Sequence, residues 1–203
     1  MYTLGKLTLE VRHGTIVEVP ADAWAVPLPE DLTRDLSGVA AAVAEAWGGT
    51  ERFREATSAA ARALSDDLPR AHQAFFLARD PGAGGGTALP EELRGVIGMF
   101  PPACDGAWDS KLGEKLYKGY MAVLRVAEDE GLTSLAIPAL GAGGCRCPFD
   151  ASVATFARAA MDVSVAVKHV RRLIFVARDE FRHADVDRML RDFIEVDIFF
   201  TED

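Results

Sequence analysis

Apolar residues along this chain follow two periods, and the points where one gives way to the other carry most of the information. Short apolar runs with a period near two read as strands. They are Tyr2 to Val11 (Leu4, Leu7, Leu9 and Val11 loosely alternating), Asp22 to Val26, Gln73 to Ala78, Gly95 to Phe100, Leu135 to Leu140 and Arg172 to Ala177. The segments between them take the helical period. Gly38 to Trp47 is alanine-rich and is stopped by Gly48 and Gly49; Thr50 caps a second helix to Leu64, with Phe53, Ala56, Ala60 and Leu64 on one face. A long helix capped by Asp109 or Ser110 reaches Glu130, with Leu112, Leu116, Tyr120, Val123, Leu124 and Ala127 along its apolar side. Asp150 to Met161 and a last helix from about Ala184 complete the set. Strands alternating with helices predict an α/β protein with a largely parallel sheet between helical layers. No internal repeat and no linker divides the chain, so residues 1–203 read as one domain.

The loops that leave the strands are where a ligand is expected in such a sheet. After Leu135 to Leu140 come Gly141, Ala142, Gly143 and Gly144, almost without side chains, and then a helix. Glycines let backbone N–H groups approach a ligand, and a helix N-terminus favours an anion. On its own this stretch is as consistent with a tight connection as with a phosphate cradle. The Pro27 to Gly38 loop sits at a second strand-to-helix junction, and two such loops on one rim would form a pocket. Another glycine-rich run, Gly82 to Gly86, has no helix after it and reads as a flexible hairpin tip.

Composition narrows the partners. With 203 residues, 49% hydrophobic and a net charge of −9, the chain has ample core and lacks the basic surface that non-specific nucleic-acid binding needs. It contains no apolar run of about 18 residues and no signal-peptide pattern, which points to the cytoplasm and away from membranes. Three cysteines do not make a disulfide framework. Cys145 and Cys147, with Cys104, raise a metal or redox pair, but no second close pair completes four ligands, and His13, His72, His169 and His183 are scattered. The cysteines therefore read as small apolar fillers, or as a reactive thiol in the case of Cys145, and no metal site is expected.

Four segments, in order, resemble the macrodomain family, an ADP-ribose-binding α/β/α module, along nearly the whole chain. Leu9 to Ile16 is similar to the first strand leading into the family's Gly-Asp-Ile signature, and Ala21 to Val26 to its Val-Asp-Ala-Ile-Val strand. Ser37 to Gly48 is similar to its Gly-Gly-Val-x-x-Ala-Ile helix start. The most specific match is Ser134 to Pro148, which resembles the family's strand and phosphate loop, Ser-Ile-Ala-Phe-Pro-Ala-Leu-Gly-Thr-Gly followed by Tyr-Pro. The resemblance implies a three-layer α/β/α macrodomain-like fold with a mixed, largely parallel central sheet. It also implies a cleft for a small-molecule nucleotide ligand, ADP-ribose or a related nucleotide diphosphate, with no cofactor. Gly141, Ala142, Gly143, Gly144, Cys145 and Arg146 would wrap the diphosphate. Gly38 and Val39 would approach it and the distal ribose from the other side, with Thr15 and Ile16 at the adenine.

The departures shape the functional expectation. Thr15 stands where the family reads adenine with Asp, and Val26 to Pro29 stand where it carries Asn-Ala-Ala-Asn. Ala40 replaces an Asp found in some de-ADP-ribosylating members, and Phe181 is the candidate for an aromatic that stacks on adenine. A diverged member that binds without efficient catalysis is expected. One alternative is a hydrolase removing ADP-ribose or a terminal phosphate, with Asp31 and Asp35 activating water. The other is a scaffold whose cleft is closed by Leu28, Pro29 and Arg34.

Overall fold

The computed structural model describes residues 1–64, 72–79 and 89–200, with side chains to residue 194. The Gly82 to Gly86 run lies outside the described residues. Strands β1 (Tyr2–Leu4), β2 (Leu7–His13), β3 (Ala23–Pro27), β4 (Ala74–Ala78), β5 (Gly95–Met99), β6 (Ser134–Pro138) and β7 (Arg172–Ala177) form one sheet. Its order is β1-β2-β7-β6-β3-β5-β4. The five central strands are parallel; β1 and β4 close the edges antiparallel. The helices are α1 (Gly38–Ala46), α2 (Thr50–Leu64), α3 (Ser110–Asp129), α4 (Phe149–Ser164) and α5 (Glu180–Phe200), with a 3-10 turn at Ile16–Glu18. The three layers expected from the sequence are present. Among the described residues no helix is long and apolar enough to cross a membrane.

The period-two pattern of each strand sorts its side chains between two cores. Ala23 and Ala25, Leu135 and Ile137, and Leu173 and Phe175 face α3, α4 and α5. Trp24 and Val26, Ala136, and Ile174 and Val176 face α1 and α2. Phe156 on α4 packs its ring 5.0 Å from Phe175 and 5.7 Å from Tyr120, joining α3, α4 and the sheet.

Three element assignments need correction. Tyr2 to Val11 is not one strand: Gly5, at φ +52°, turns the chain into a hairpin in which Tyr2 pairs with Leu9. A side chain there would also come within 2.9 Å of the Ser164 carbonyl oxygen, so glycine is required twice over. Thr50 is the first residue of α2, and its hydroxyl donates to Glu45 Oε1 at 3.2 Å instead of capping the helix. Helix α5 begins at Glu180, before Ala184, because Asp179 Oδ1 accepts from Arg182 N at 2.8 Å and caps the polar first turn.

The opposite end of the sheet is pinned by Asp22. One carboxylate oxygen accepts from Thr133 N (2.6 Å), Thr133 Oγ1 (2.9 Å) and Ser134 N (3.3 Å), while Asp22 N donates to Ser134 Oγ (2.9 Å). Partial burial pushes its pKa up, but the hydrogen bonds from Thr133 and Ser134 outweigh that and leave it lowered. A lowered carboxyl pKa contributes stability above the unfolded-state value, and the contribution is lost as pH falls through the folded one. Asp22→Ala should therefore cost about 1 kcal/mol at neutral pH, a low figure because the group is part-exposed. In urea melts the gap from the parent protein should close in acid; a gap independent of pH would refute the ionic role.

Candidate functional site

Strands β3 and β6 are parallel neighbours, paired through Ala23 with Leu135 and Trp24 with Ala136. The chain leaving β3 runs to α1 on one face of the sheet, and the chain leaving β6 runs to α4 on the other. Neighbouring strands that send their helices to opposite faces leave a crevice at their carboxyl ends, the usual ligand position in an open α/β sheet. The two loops flank that crevice. A Cβ placed on Gly144 would lie 3.8 Å from Ser37 Oγ at the start of α1. Gly38 and Val39, which open α1, are thus brought to the Gly141 to Arg146 loop. The 3-10 turn carrying Ile16 packs on α1 and β6, but Ile16 itself is buried in the α1 core, and Thr15 is exposed beside it.

Polar groups on this rim are unevenly satisfied. Asp109 accepts from Leu112 N at 2.7 Å and closes the N-terminus of α3; Asp179 does the same for α5. Ser37 and Pro148 make no side-chain cap, so α1 and α4 begin with free amides. Within the loop, Ala142 N bonds Ala139 O, Arg146 N bonds Gly143 O and Cys147 N bonds Gly141 O. Among the described residues, the amides of Gly143, Gly144 and Cys145 have no intramolecular acceptor. Successive free N–H groups beside a helix N-terminus form a concave, positively polarised surface suited to an anion.

The root of this loop is held by a buried ring of hydrogen bonds that pattern reading did not single out. Leu140 N donates to Tyr120 Oη (2.9 Å), Tyr120 Oη pairs with Ser152 Oγ (2.8 Å), and Ser152 Oγ donates to Leu140 O (2.8 Å). All three residues are fully buried. Burial pushes the Tyr120 phenol far up, past the partial offset from Ser152 and Leu140, so the hydroxyl stays neutral. Tyr120 had only an apolar-face role in the sequence reading, and Ser152 on the α4 face carried no signal at all.

The cysteines also need correction. Cys104 and Cys147, 43 residues apart, form a disulfide with Cα atoms at 4.8 Å. An odd cysteine count hid the pair, which forms only because the loops after β5 and β6 meet above β3. In a chain-entropy account, a closure of this length stabilises by about 4 kcal/mol. Beside it, Cys104 N donates to Cys145 O at 2.9 Å, and Arg146 Nη2 pairs with Asp105 Oδ1 at 2.6 Å. Gly141, at φ +80°, lies against the bridge, where a Cβ would be 3.1 Å from Cys147 Sγ. The Cys145 thiol points at the Pro101 carbonyl (3.9 Å) and is pushed up by burial and then by Glu30 and Asp105. Those surroundings disfavour the thiolate, the form a reactive thiol would use.

The remaining candidates lie at the periphery. Asp31 Oδ1 accepts from Thr33 N (3.0 Å) and Thr33 Oγ1 (2.6 Å), with Arg34 Nε at 3.5 Å from Oδ2. The Thr33 contacts, then the Arg34 charge, hold its pKa low. Asp35 is exposed. Leu28 is buried among the α1 and α2 core residues, whereas Phe181, 86% exposed, stands at the start of α5 on the same rim. Trp108 is 37% exposed and leans over Gly113 of α3. Three shallow concavities lie along α3, and none includes a residue of α1 or of the Gly141 to Arg146 loop.

A three-layer α/β/α domain with unbonded loop amides beside a strand-order switch is the class that fold and site define. A family model described as Macro domain matches residues 83–156. The ADP-ribose glycohydrolase of Archaeoglobus fulgidus is 32% identical over 177 residues, covering 85% of this chain and 88% of that protein. An uncharacterized protein of Thermococcus kodakarensis is 30% identical over 183 residues, covering 90% and 97%. Among solved structures, the Oceanobacillus iheyensis macrodomain with ADP matches with a TM-score of 0.79 over 96% of this chain and 95% of that one, at 17% identity. The Trypanosoma brucei macrodomain in complex with ADP-ribose matches with a TM-score of 0.68 over 89% and 68%, at 14% identity. The chain belongs to the macrodomain family.

The buried ring gives a direct check on how the loop is anchored. Tyr120→Phe strands Leu140 N without a partner and should cost about 1–3 kcal/mol in urea denaturation. Combined with Ser152→Ala, the losses should fall short of additivity by about 1 kcal/mol. Fully additive losses would show that the ring does not act as a unit.

Proposed function

We propose that residues 1–203 form a single macrodomain that binds ADP-ribose or a related nucleoside diphosphate in the crevice between β3 and β6. The observation that carries this reading is the pairing of three unbonded loop amides, Gly143 to Cys145, with the uncapped start of α1 across the crevice. In this reading the diphosphate lies between them. Gly141 and Ala142 shape the turn beneath it, Gly38 and Val39 face it from α1, and Thr15 and Ile16 border the base. Arg146, paired with Asp105 through an exposed contact, stands on the loop's outer limb and completes the same binding set. Solved relatives with ADP and with ADP-ribose support the ligand class. Cytoplasmic residence belongs to the same proposal, and neither nucleic acid nor membrane enters it.

A hydrolytic reading rests on a different observation, the 32% identity to a protein named ADP-ribose glycohydrolase. Asp35 would then be the better base, since Asp31 already accepts from Thr33 and Arg34. Release of ADP-ribose from a modified protein should fall at least about 100-fold in an Asp31→Ala, Asp35→Ala double variant if either carboxylate activates water. Full retained turnover would remove both from the mechanism.

Binding itself is tested most cleanly at Gly143, because a Cβ there meets nothing within 4 Å and Gly143→Glu adds charge without a clash. ADP-ribose at about 100 times its Kd should stabilise the parent protein by about 2.7 kcal/mol in thermal unfolding. Gly143→Glu should keep the unliganded Tm and lose the ligand shift. An unchanged shift in the variant would move the ligand away from the loop.

A further inference from the structure

The loop after β5 and the loop after β6 leave strands separated by β3, yet they are fastened together. The first contact is the Cys104–Cys147 disulfide; the Cys104 N to Cys145 O hydrogen bond, the Arg146–Asp105 ion pair and the Cys145 thiol on the Pro101 carbonyl add to it. Only the first is covalent. The ion pair is exposed on both sides, so it holds little by itself. Arg146 and Asp105 both sit at positive φ, +53° and +50°, a conformation that a non-glycine residue keeps only when its surroundings impose it. The disulfide flanks both residues in sequence. It also packs against Gly141, where the exposed amide run of Gly143 to Cys145 begins its turn.

We infer that the Cys104–Cys147 disulfide is a redox latch on the ligand-binding loop. Closed, it holds Gly143 to Cys145 in the ligand-accepting shape; opened by a dithiol, it releases the loop and weakens binding. The inference rests on the proposed site and adds its regulation. In the opening step a dithiol thiolate attacks one bridge sulfur to form a mixed disulfide. Its second thiol then displaces the protein thiol. The reagent becomes a cyclic disulfide by giving up two electrons and two protons, and Cys104 and Cys147 are left as free thiols. Both cysteines are buried, so attack proceeds from a locally opened state, and monothiols that cannot complete the second displacement are poor openers. Cys145, the neighbouring free cysteine, is pushed up by burial and by Glu30 and Asp105, which keeps it from reshuffling the bridge.

The test compares the folded protein before and after dithiothreitol. Thiol titration should rise from one group to three, matching the free cysteine and the opened pair. A count fixed at one in the native protein would overturn the latch. On reduction, ADP-ribose affinity by calorimetry should fall about tenfold, as expected when the competent loop shape drops to a tenth of the population. Amide exchange should rise by about the same factor in residues 101–109 and 139–148. A Cys104→Ser, Cys147→Ser double variant should match the reduced protein and ignore dithiothreitol. Equal affinity in both states of the parent would refute the gating of binding. Unchanged amide exchange would refute the latch even if ADP-ribose proved not to be the ligand. Loop loosening without any ADP-ribose binding in the oxidised form would keep the latch and sink the ligand assignment.

Discussion

The crossovers that leave β3 and β6 lead in opposite directions along the sheet, and right-handed connections then put their helices on opposite faces. Strand β3 feeds α1 and β6 feeds α4, on opposite faces, so the sheet's carboxyl edge opens between them. Each strand must therefore be apolar on both faces, and each supplies alternate residues to the two cores. The helices that follow are then free to aim their first turns at the opening. Everything on the rim is placed relative to that divergence: Ser37 on one wall, Gly144 on the other, and the turn of Ile16–Glu18 packed behind α1.

A binding edge must leave polar groups unsatisfied, whereas the core under it must satisfy all of them. The boundary here falls within a few residues. Leu140 has its N–H and carbonyl both engaged by Tyr120 and Ser152, and the unbonded amides of Gly143, Gly144 and Cys145 lie only three to five residues on. The anchoring ring draws one partner from α3 and one from α4, so two helices fix the root of a loop that makes few bonds of its own. Capping follows the same division. Asp109 and Asp179 close α3 and α5, and the helices flanking the crevice, α1 and α4, carry no cap.

Much of this was legible from residue order, and the failures share a cause. The strands, the glycine loop and the helices α1 to α4 all announce themselves through local period and through glycine or proline stops. Gly5 was missed because the slip from Leu4 to Leu7 is a single spacing of three inside a loose alternation, too short a signal to mark a turn by itself. Asp179 was missed because the turn it caps is polar, and the buried stripe of α5 starts only at Val186. The Cys104–Cys147 bridge and the Tyr120–Ser152–Leu140 ring span 43 and up to 32 positions. No periodicity connects residues that far apart; they meet only once the sheet order is known. The Arg146–Asp105 pair was equally out of reach of residue order, since Asp105 lies on another loop.

Charge makes the same argument about how an anion would be held. The chain carries −9 overall, so its far field repels a diphosphate. Near the crevice, burial raises the Cys145 thiol first, Glu30 and Asp105 add negative potential in the same direction, and Asp105 pairs with Arg146. Attraction must then come from oriented backbone dipoles at short range, which act within the first turn of a helix and depend on exact placement of each N–H. A site of that kind tolerates an acidic surface but not a loose loop. Shape has to do what charge does in a lysine- or arginine-lined pocket, and that is the physical reason for a covalent bridge beside a loop made of glycines.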